Sequence, residues 1–216
     1  MKANRYDHPD FHHERQAGAA DGRLVCGVDE VGRGPLAGPV MAAAVILPFE
    51  GLPAGLAGVV NDSKRLSRAT RQRLAPEIRA AAVAVAVGAA TVREIEELNI
   101  LRAALLAMAR AVAGLAVRPD HVLVDGRHLP PGLSCPATTI IRGDQSSLSI
   151  AAASIVAKVV RDKEMERISE EFPQFGWSHN AGYPTADHLA ALRRWGPTRH
   201  HRATFAPVRE EMAIRR

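Results

Sequence analysis

Apolar positions in this chain fall in short runs separated by longer stretches of helical periodicity. Positions 24–30 and 40–47 are two closely spaced apolar runs, the second rich in alanine and closed by Pro48. Runs of this length read as buried strands. The turn between them, 32–39, is too rich in glycine and proline for a helix, so an antiparallel pair is expected. Val83, Val85 and Val87 alternate with alanine over 82–91 and predict a third buried strand. Ile95, Leu98, Leu101, Leu105 and Met108 recur at three- and four-residue spacings, which predicts one helix over 94–112. Apolar runs at 121–124 and 137–141 predict two further strands. Helices are expected from Ser67 to Ala80, kinked or restarted at Pro76, then from 148 to about 167 and from 185 to 194. The order implies a mixed α/β sheet flanked by helices. Residues 1–22 read as a flexible lead-in pinned at Phe11, 23–172 as the main domain, and 173–216 as a C-terminal helical extension docked through Phe205 and Val208.

The polar positions that interrupt this pattern carry the chemistry. Asp29 and Glu30 end the first strand, Asp125 ends the fourth, and Asp144 follows the fifth. Acids at buried strand ends are costly unless a cation sits beside them. Ligands in open α/β sheets collect at strand ends. Four carboxylates from separate elements suit hard divalent cations, and two such ions can clamp a phosphoryl displacement. Adjacent strand residues point to opposite faces, so Asp29 and Glu30 can share a site only if the strand ends or twists at Glu30. Gly32 and Gly34 flank Arg33 directly afterwards, and such a turn lets backbone approach a polyanion closely. The same residues also fit a solvated strand end, another metal-dependent nuclease, or a basic module that binds without catalysis.

Composition narrows these readings. The 216 residues are 47% hydrophobic, enough for one sizeable core. A net charge of +5 favours an anionic partner. Cys26 and Cys135 lack metal-type spacing, which argues against a zinc module or a disulfide scaffold. No apolar run approaches the ~20 residues of a membrane span, and the polar N-terminus lacks a signal-peptide core. Cytoplasm is the expected location and no membrane partner is expected.

In order along the chain stand Gly27-Val28-Asp29-Glu30-Val31-Gly32-Arg33-Gly34-Pro35-Leu36-Ala37-Gly38-Pro39, Asp62-Ser63-Lys64-Arg65-Leu66-Ser67, Val124-Asp125-Gly126, Gly143-Asp144, Ser149-Ile150-Ala151-Ala152-Ala153-Ser154, Gly182-Tyr183-Pro184-Thr185 and Phe205-Ala206-Pro207-Val208. With these motifs the chain resembles the bacterial type 2 ribonucleases H, ribonuclease HII, over about 24–208. The resemblance implies a ribonuclease H-like fold with a C-terminal helical extension. It implies an endonuclease that hydrolyses the RNA strand of RNA–DNA hybrids; a monomer is expected, although the sequence does not itself reveal oligomeric state. It also implies nicking of duplex DNA at embedded ribonucleotides, with two divalent ions, Mg²⁺ or Mn²⁺, and 5′-phosphate and 3′-hydroxyl products. Catalysis and metal binding would fall on Asp29, Glu30, Asp125 and Asp144. Substrate binding would fall on Gly32, Arg33 and Gly34, on Tyr183 against the deoxyribose after the ribonucleotide, and on Lys64 and Arg142; Ser147, which opens the long helix, fits a structural N-cap as well as a phosphate contact at the helix N-terminus. Arg142 stands where many relatives of this kind carry lysine.

Overall fold

The computed structural model describes residues 8–50 and 52–215. The first seven residues of the expected lead-in, Gly51 and Arg216 lie outside them.

Strands β1 (Val25–Val31), β2 (Val40–Ile46), β3 (Ala84–Ala90), β4 (His121–Asp125) and β5 (Ala137–Ile140) form one sheet in the order β3-β2-β1-β4-β5. β1 pairs antiparallel with β2, and β2 with β3; β1 pairs parallel with β4, and β4 with β5. The helices are α1 (His12–Gln16), α2 (Ala54–Ala57), α3 (Arg68–Ala81), α4 (Val92–Leu98), α5 (Ile100–Ala113), α6 (Leu148–Glu171), α7 (Trp177–Asn180), α8 (Ala186–Trp195) and α9 (Ala206–Ile214).

The central strands are apolar on both faces because each face is covered. Ala42, Ala44 and Ile46 of β2 join Cys26 and Val28 of β1 in a core with Ala103, Ala107 and Met108 of α5. Ala43 and Val45 point the other way, onto Ala152, Ile155 and Val156 of α6 and Leu74 and Ile78 of α3. The two-residue period of the strand thus distributes one alanine-rich sequence between two cores. Helix α3 runs unbroken through Pro76, capped by Ser67, whose side chain accepts from the Thr70 amide.

The single helix expected over 94–112 is two. Asn99 adopts φ 71° and cannot continue a right-handed helix, and its side chain accepts from the amides of Leu101 and Arg102 to start α5. Apolar spacing does not register a one-residue conformational break, so the periodicity runs across it. In the lead-in, Phe11 packs edge-on against Phe49, in keeping with its expected role as a pin; beyond that expectation, α1 follows and Glu14 of α1 is buried.

Helix α6 crosses behind β1 at very close range. A Cβ on Gly27 would lie 2.3 Å from the Ile150 amide nitrogen and 2.3 Å from the Ser149 carbonyl carbon, both backbone atoms that cannot rotate away. Gly27→Ala is therefore expected to push α6 off the sheet. A loss of at least about 1–3 kcal/mol in urea unfolding is expected, and an unchanged midpoint would show that the helix can shift freely.

Candidate active site

The β1–β4 pairing ends at Val28↔Val124. The next residues, Asp29 and Asp125, therefore stand side by side at the carboxyl ends of adjacent parallel strands. Strand β1 itself continues against β2 through Glu30 and Val31. The expected break at Glu30 is thus one-sided: the ladder stops towards β4 and persists towards β2. Asp29 turns along the strand and accepts from the Glu30 amide at 2.7 Å. Carboxylate oxygens of Asp29, Glu30 and Asp125 all lie within 4.8 Å of one another. Asp144 lines the same cleft, on the 3₁₀ turn Gly143–Gln145, but stands outside that group of three.

Electrostatics in the cleft are unfavourable for acids alone. Burial raises the Asp29 carboxyl well above its ordinary value, and Glu30, Asp125 and Asp144 raise it further. Burial also raises Glu30, against the opposing pull of Arg33, whose guanidinium meets Glu30 Oε1 at 3.1 Å. Asp125 is raised by burial although the Gly143 amide donates to its Oδ1 at 2.7 Å. Asp144 reaches about 6 through burial and through Asp125 and Asp62 beside it. Burial pulls the Lys64 ammonium down, yet Asp144, Asp62, Asp29 and Asp125 together hold it above its ordinary value. An all-oxygen donor set that repels itself fits a hard divalent cation, which would remove the repulsion.

The wall opposite the acids is the turn 32–39. Gly32 has φ 97°, and a Cβ there would lie 2.2 Å from Arg161 Nε. Two fully buried arginines hold this turn by its carbonyls. Arg161 donates to Pro39, Ala37 and Ala181, and Arg202 to Gly32, Arg33, Pro35 and Gly38, at 2.6–3.1 Å. Among the described residues, neither has a carboxylate partner within ion-pair distance. With the carbonyls drawn inward, the outer face of Gly32-Arg33-Gly34 is left open to the cleft. Tyr183 closes the far side: its ring carbon Cε1 would lie 3.4 Å from a Cβ on Gly34. Its backbone carbonyl accepts from the buried His188 Nδ1 at 2.9 Å.

The cleft so formed has a volume of about 420 Å³ and brings together Asp29, Glu30, Gly32, Arg33, Gly34, Lys64, Asp125, Asp144 and Tyr183. Two residues expected at the substrate are not in it. Arg142 is exposed in the left-handed region at φ 57° but does not line the cleft. Ser147 has no exposed surface. Its hydroxyl donates to Glu14 and accepts from the Ile150 amide, so it caps α6 instead of reaching substrate. Conversely, Ser63, Ser154 and Lys158 line the cleft. Lys158 pairs with Asp162, four residues on along α6, at 2.7 Å, and an i,i+4 spacing carries no sign that Lys158 also faces the site.

The ribonuclease HII family model matches residues 26–208. A ribonuclease HII of Granulibacter bethesdensis is 53% identical over 212 residues, 98% of this chain and 94% of that protein. One from Rhodospirillum rubrum is 56% identical over 206 residues, 95% of this chain and 92% of that protein. Among solved structures, the ribonuclease H2 of Pyrococcus horikoshii superposes with a TM-score of 0.73 at 28% identity, covering 89% of this chain and 99% of that one.

Proposed function

The chain belongs to the ribonuclease HII family, and on that premise we propose how its cleft serves the family's hydrolysis. The protein is an endoribonuclease acting on RNA–DNA hybrids. In this reading it also nicks duplex DNA at a single embedded ribonucleotide, leaves 5′-phosphate and 3′-hydroxyl ends, and works as a cytoplasmic monomer. Residues 23–172 would form the catalytic domain and 173–216 the extension that supplies Tyr183. Among the described residues, no helix is long and apolar enough to cross a membrane.

The observation that carries the reading is the meeting of Asp29, Glu30 and Asp125 within 4.8 Å, in one cleft with Asp144, the Gly32-Arg33-Gly34 turn and Tyr183. The four acids would hold two divalent ions, Mg²⁺ or Mn²⁺. Bound there, such ions supply positive charge at the scissile phosphate and lower the pKa of water. Gly32 and Gly34 let the backbone approach the ribonucleotide, where a side chain would hold it away. Hybrids are read by shape and 2′-OH, and an open outer face of this turn would suit such reading. Lys64, kept cationic by the acids around it, suits a backbone phosphate. Tyr183 offers a flat face to the next sugar.

Cleavage of three duplexes tests the reading: a long RNA–DNA hybrid, DNA with one ribonucleotide, and all-DNA, each with Mg²⁺, Mn²⁺ or EDTA. Cutting of the first two, only with a divalent ion, is expected; cutting of all-DNA would assign the cleft to a different nuclease. Binding should also show without substrate. Mn²⁺ at 100-fold above its Kd would add ~2.7 kcal/mol of stability, a rise of roughly 5–10 °C in Tm for a chain of this size. No rise at saturating Mn²⁺ would count against a preformed site.

A further inference from the structure

Glu14 lies 133 residues before Ser147 and outside the family match, yet it is 2% exposed and fully engaged at one oxygen. Its Oε1 accepts from Ser147 Oγ at 2.6 Å, Ser149 Oγ at 2.6 Å and the Ser149 amide at 2.9 Å. A carboxylate at this place satisfies an orphan donor of α6 and complements its positive end. The backbone beside it ties the same segment down. Asp10 bridges Ser147, donating to the Ser146 carbonyl and accepting from the Leu148 amide, and His13 meets Ser146 Oγ at 3.2 Å.

What this clamp holds is the support of the site. Asp144 is three residues before Ser147, and Ser146 and Ser147 donate back to the Gly143 carbonyl. The Gly143 amide in turn donates to Asp125 Oδ1. Ser149 and Ile150 also press on Gly27, two residues before Asp29. One buried carboxylate therefore fixes the segment on which Asp144 rides, the amide that orients Asp125, and the backbone packed under β1.

We infer that Glu14 is a positioning residue for the acid cluster, and that α1 acts as a strap holding the Asp144-bearing segment in register for divalent ions. This rests on the metal-site reading above. The test compares wild type, Glu14→Ala, Glu14→Gln and, as a control for the site itself, Asp29→Asn. Mn²⁺ affinity is measured by calorimetry on the free protein, amide hydrogen exchange over 143–150 by mass spectrometry, and hybrid affinity in EDTA.

Partners that orient metal ligands typically change affinity about 10–100-fold when lost. Glu14→Ala is expected to weaken Mn²⁺ about 10-fold or more and to speed exchange selectively over 143–150, with hybrid affinity in EDTA kept. Glu14→Gln retains an acceptor oxygen and should fall between Glu14→Ala and wild type. Unchanged Mn²⁺ affinity in both variants, or exchange raised equally throughout the chain, overturns the inference. If Glu14→Ala does not fold, Glu14→Gln and Ser149→Ala, which each remove less, decide by the same measurements. If wild type itself shows no Mn²⁺ binding sensitive to Asp29→Asn, the site reading fails and the inference with it. Asp29-dependent binding that ignores Glu14 sinks the inference alone.

Discussion

Asp29→Asn is expected to lower kcat by roughly 10³-fold, about 4 kcal/mol of transition-state stabilisation, while raising the stability of the metal-free protein. Asparagine keeps the shape and can still accept from the Glu30 amide, as Asp29 does at 2.7 Å. It removes the charge that burial and three neighbouring acids oppose. A carboxyl whose folded pKa is raised ionises first in the unfolded chain. Its contribution is therefore fully present below the ordinary carboxylate value and is lost as pH climbs through the folded value. For Asp144 that window runs from 3.8 to about 6. Metal-free wild type should accordingly lose stability across this range, and Asp29→Asn should lose less. Near neutral pH the variant should melt higher than wild type without divalent ions and respond less to added Mn²⁺. Hybrid binding in EDTA should survive, because it rests on phosphate contacts. Three measurements check this: single-turnover rates in saturating Mg²⁺, thermal melts with and without Mn²⁺, and melts across pH. Wild-type kcat would remove Asp29 from the ligand set. A lower metal-free Tm would mean that the carboxylate's hydrogen bond outweighs its repulsion.

The opposite responses of rate and stability explain why the acids were legible in the sequence. Asp29, Glu30 and Asp125 sit where local patterning would place apolar residues, at the ends of buried strands, and Asp144 sits on the turn that follows β5. Such a conflict marks a place where function overrides packing. The strands were legible for the complementary reason, since β2 must be apolar on both faces to be covered by α5 and α6.

Other features left no local trace. Arg161 and Arg202 carry no sequence signal of their role, because charge pattern cannot show a guanidinium satisfied by backbone carbonyls from a distant turn. For Ser147 the sequence left open a helix cap and a phosphate contact, because a helix N-terminus suits either. The position is taken by Glu14, 133 residues away in sequence. The break at Asn99 had a partial signal: an asparagine just before a strong apolar run is a capping residue as readily as a helical one. His188 and His201 are buried beside Trp177, with Nε2 of His188 3.0 Å from Trp177 Nε1 and 3.2 Å from His201 Nε2. Burial lowers both imidazoles, His201 to about 3. They pack α7 and α8 beneath Tyr183, a role set by tertiary contacts that residue type alone does not announce.

Tyr183→Ala separates recognition from chemistry. Tyr183 is 41% exposed, its ring lies beside Gly34, and its backbone is held from below by His188. Its neighbour Gly182 is locked to the same turn, accepting from the Leu36 amide at 2.8 Å. Removing the ring thus leaves the acids and the turn in place. If Tyr183 packs on the sugar downstream of the ribonucleotide, it favours a deoxyribose there, because a 2′-OH would crowd the ring. That contact exists at a single ribonucleotide in DNA and is compromised inside continuous RNA. The variant should therefore lose more kcat/KM on DNA with one ribonucleotide than on a long hybrid. By analogy with base–aromatic stacking, ~1–3 kcal/mol is at stake, roughly 10- to 100-fold in rate. Phenylalanine keeps the flat face and should restore most of the difference if packing is what matters; if it behaves like alanine, the hydroxyl carries the contact. Metal dependence should be unchanged in both variants, since neither touches the carboxylates. Equal fractional losses on the two substrates would return Tyr183 to an ordinary turn residue and leave discrimination to the Gly32-Arg33-Gly34 backbone alone.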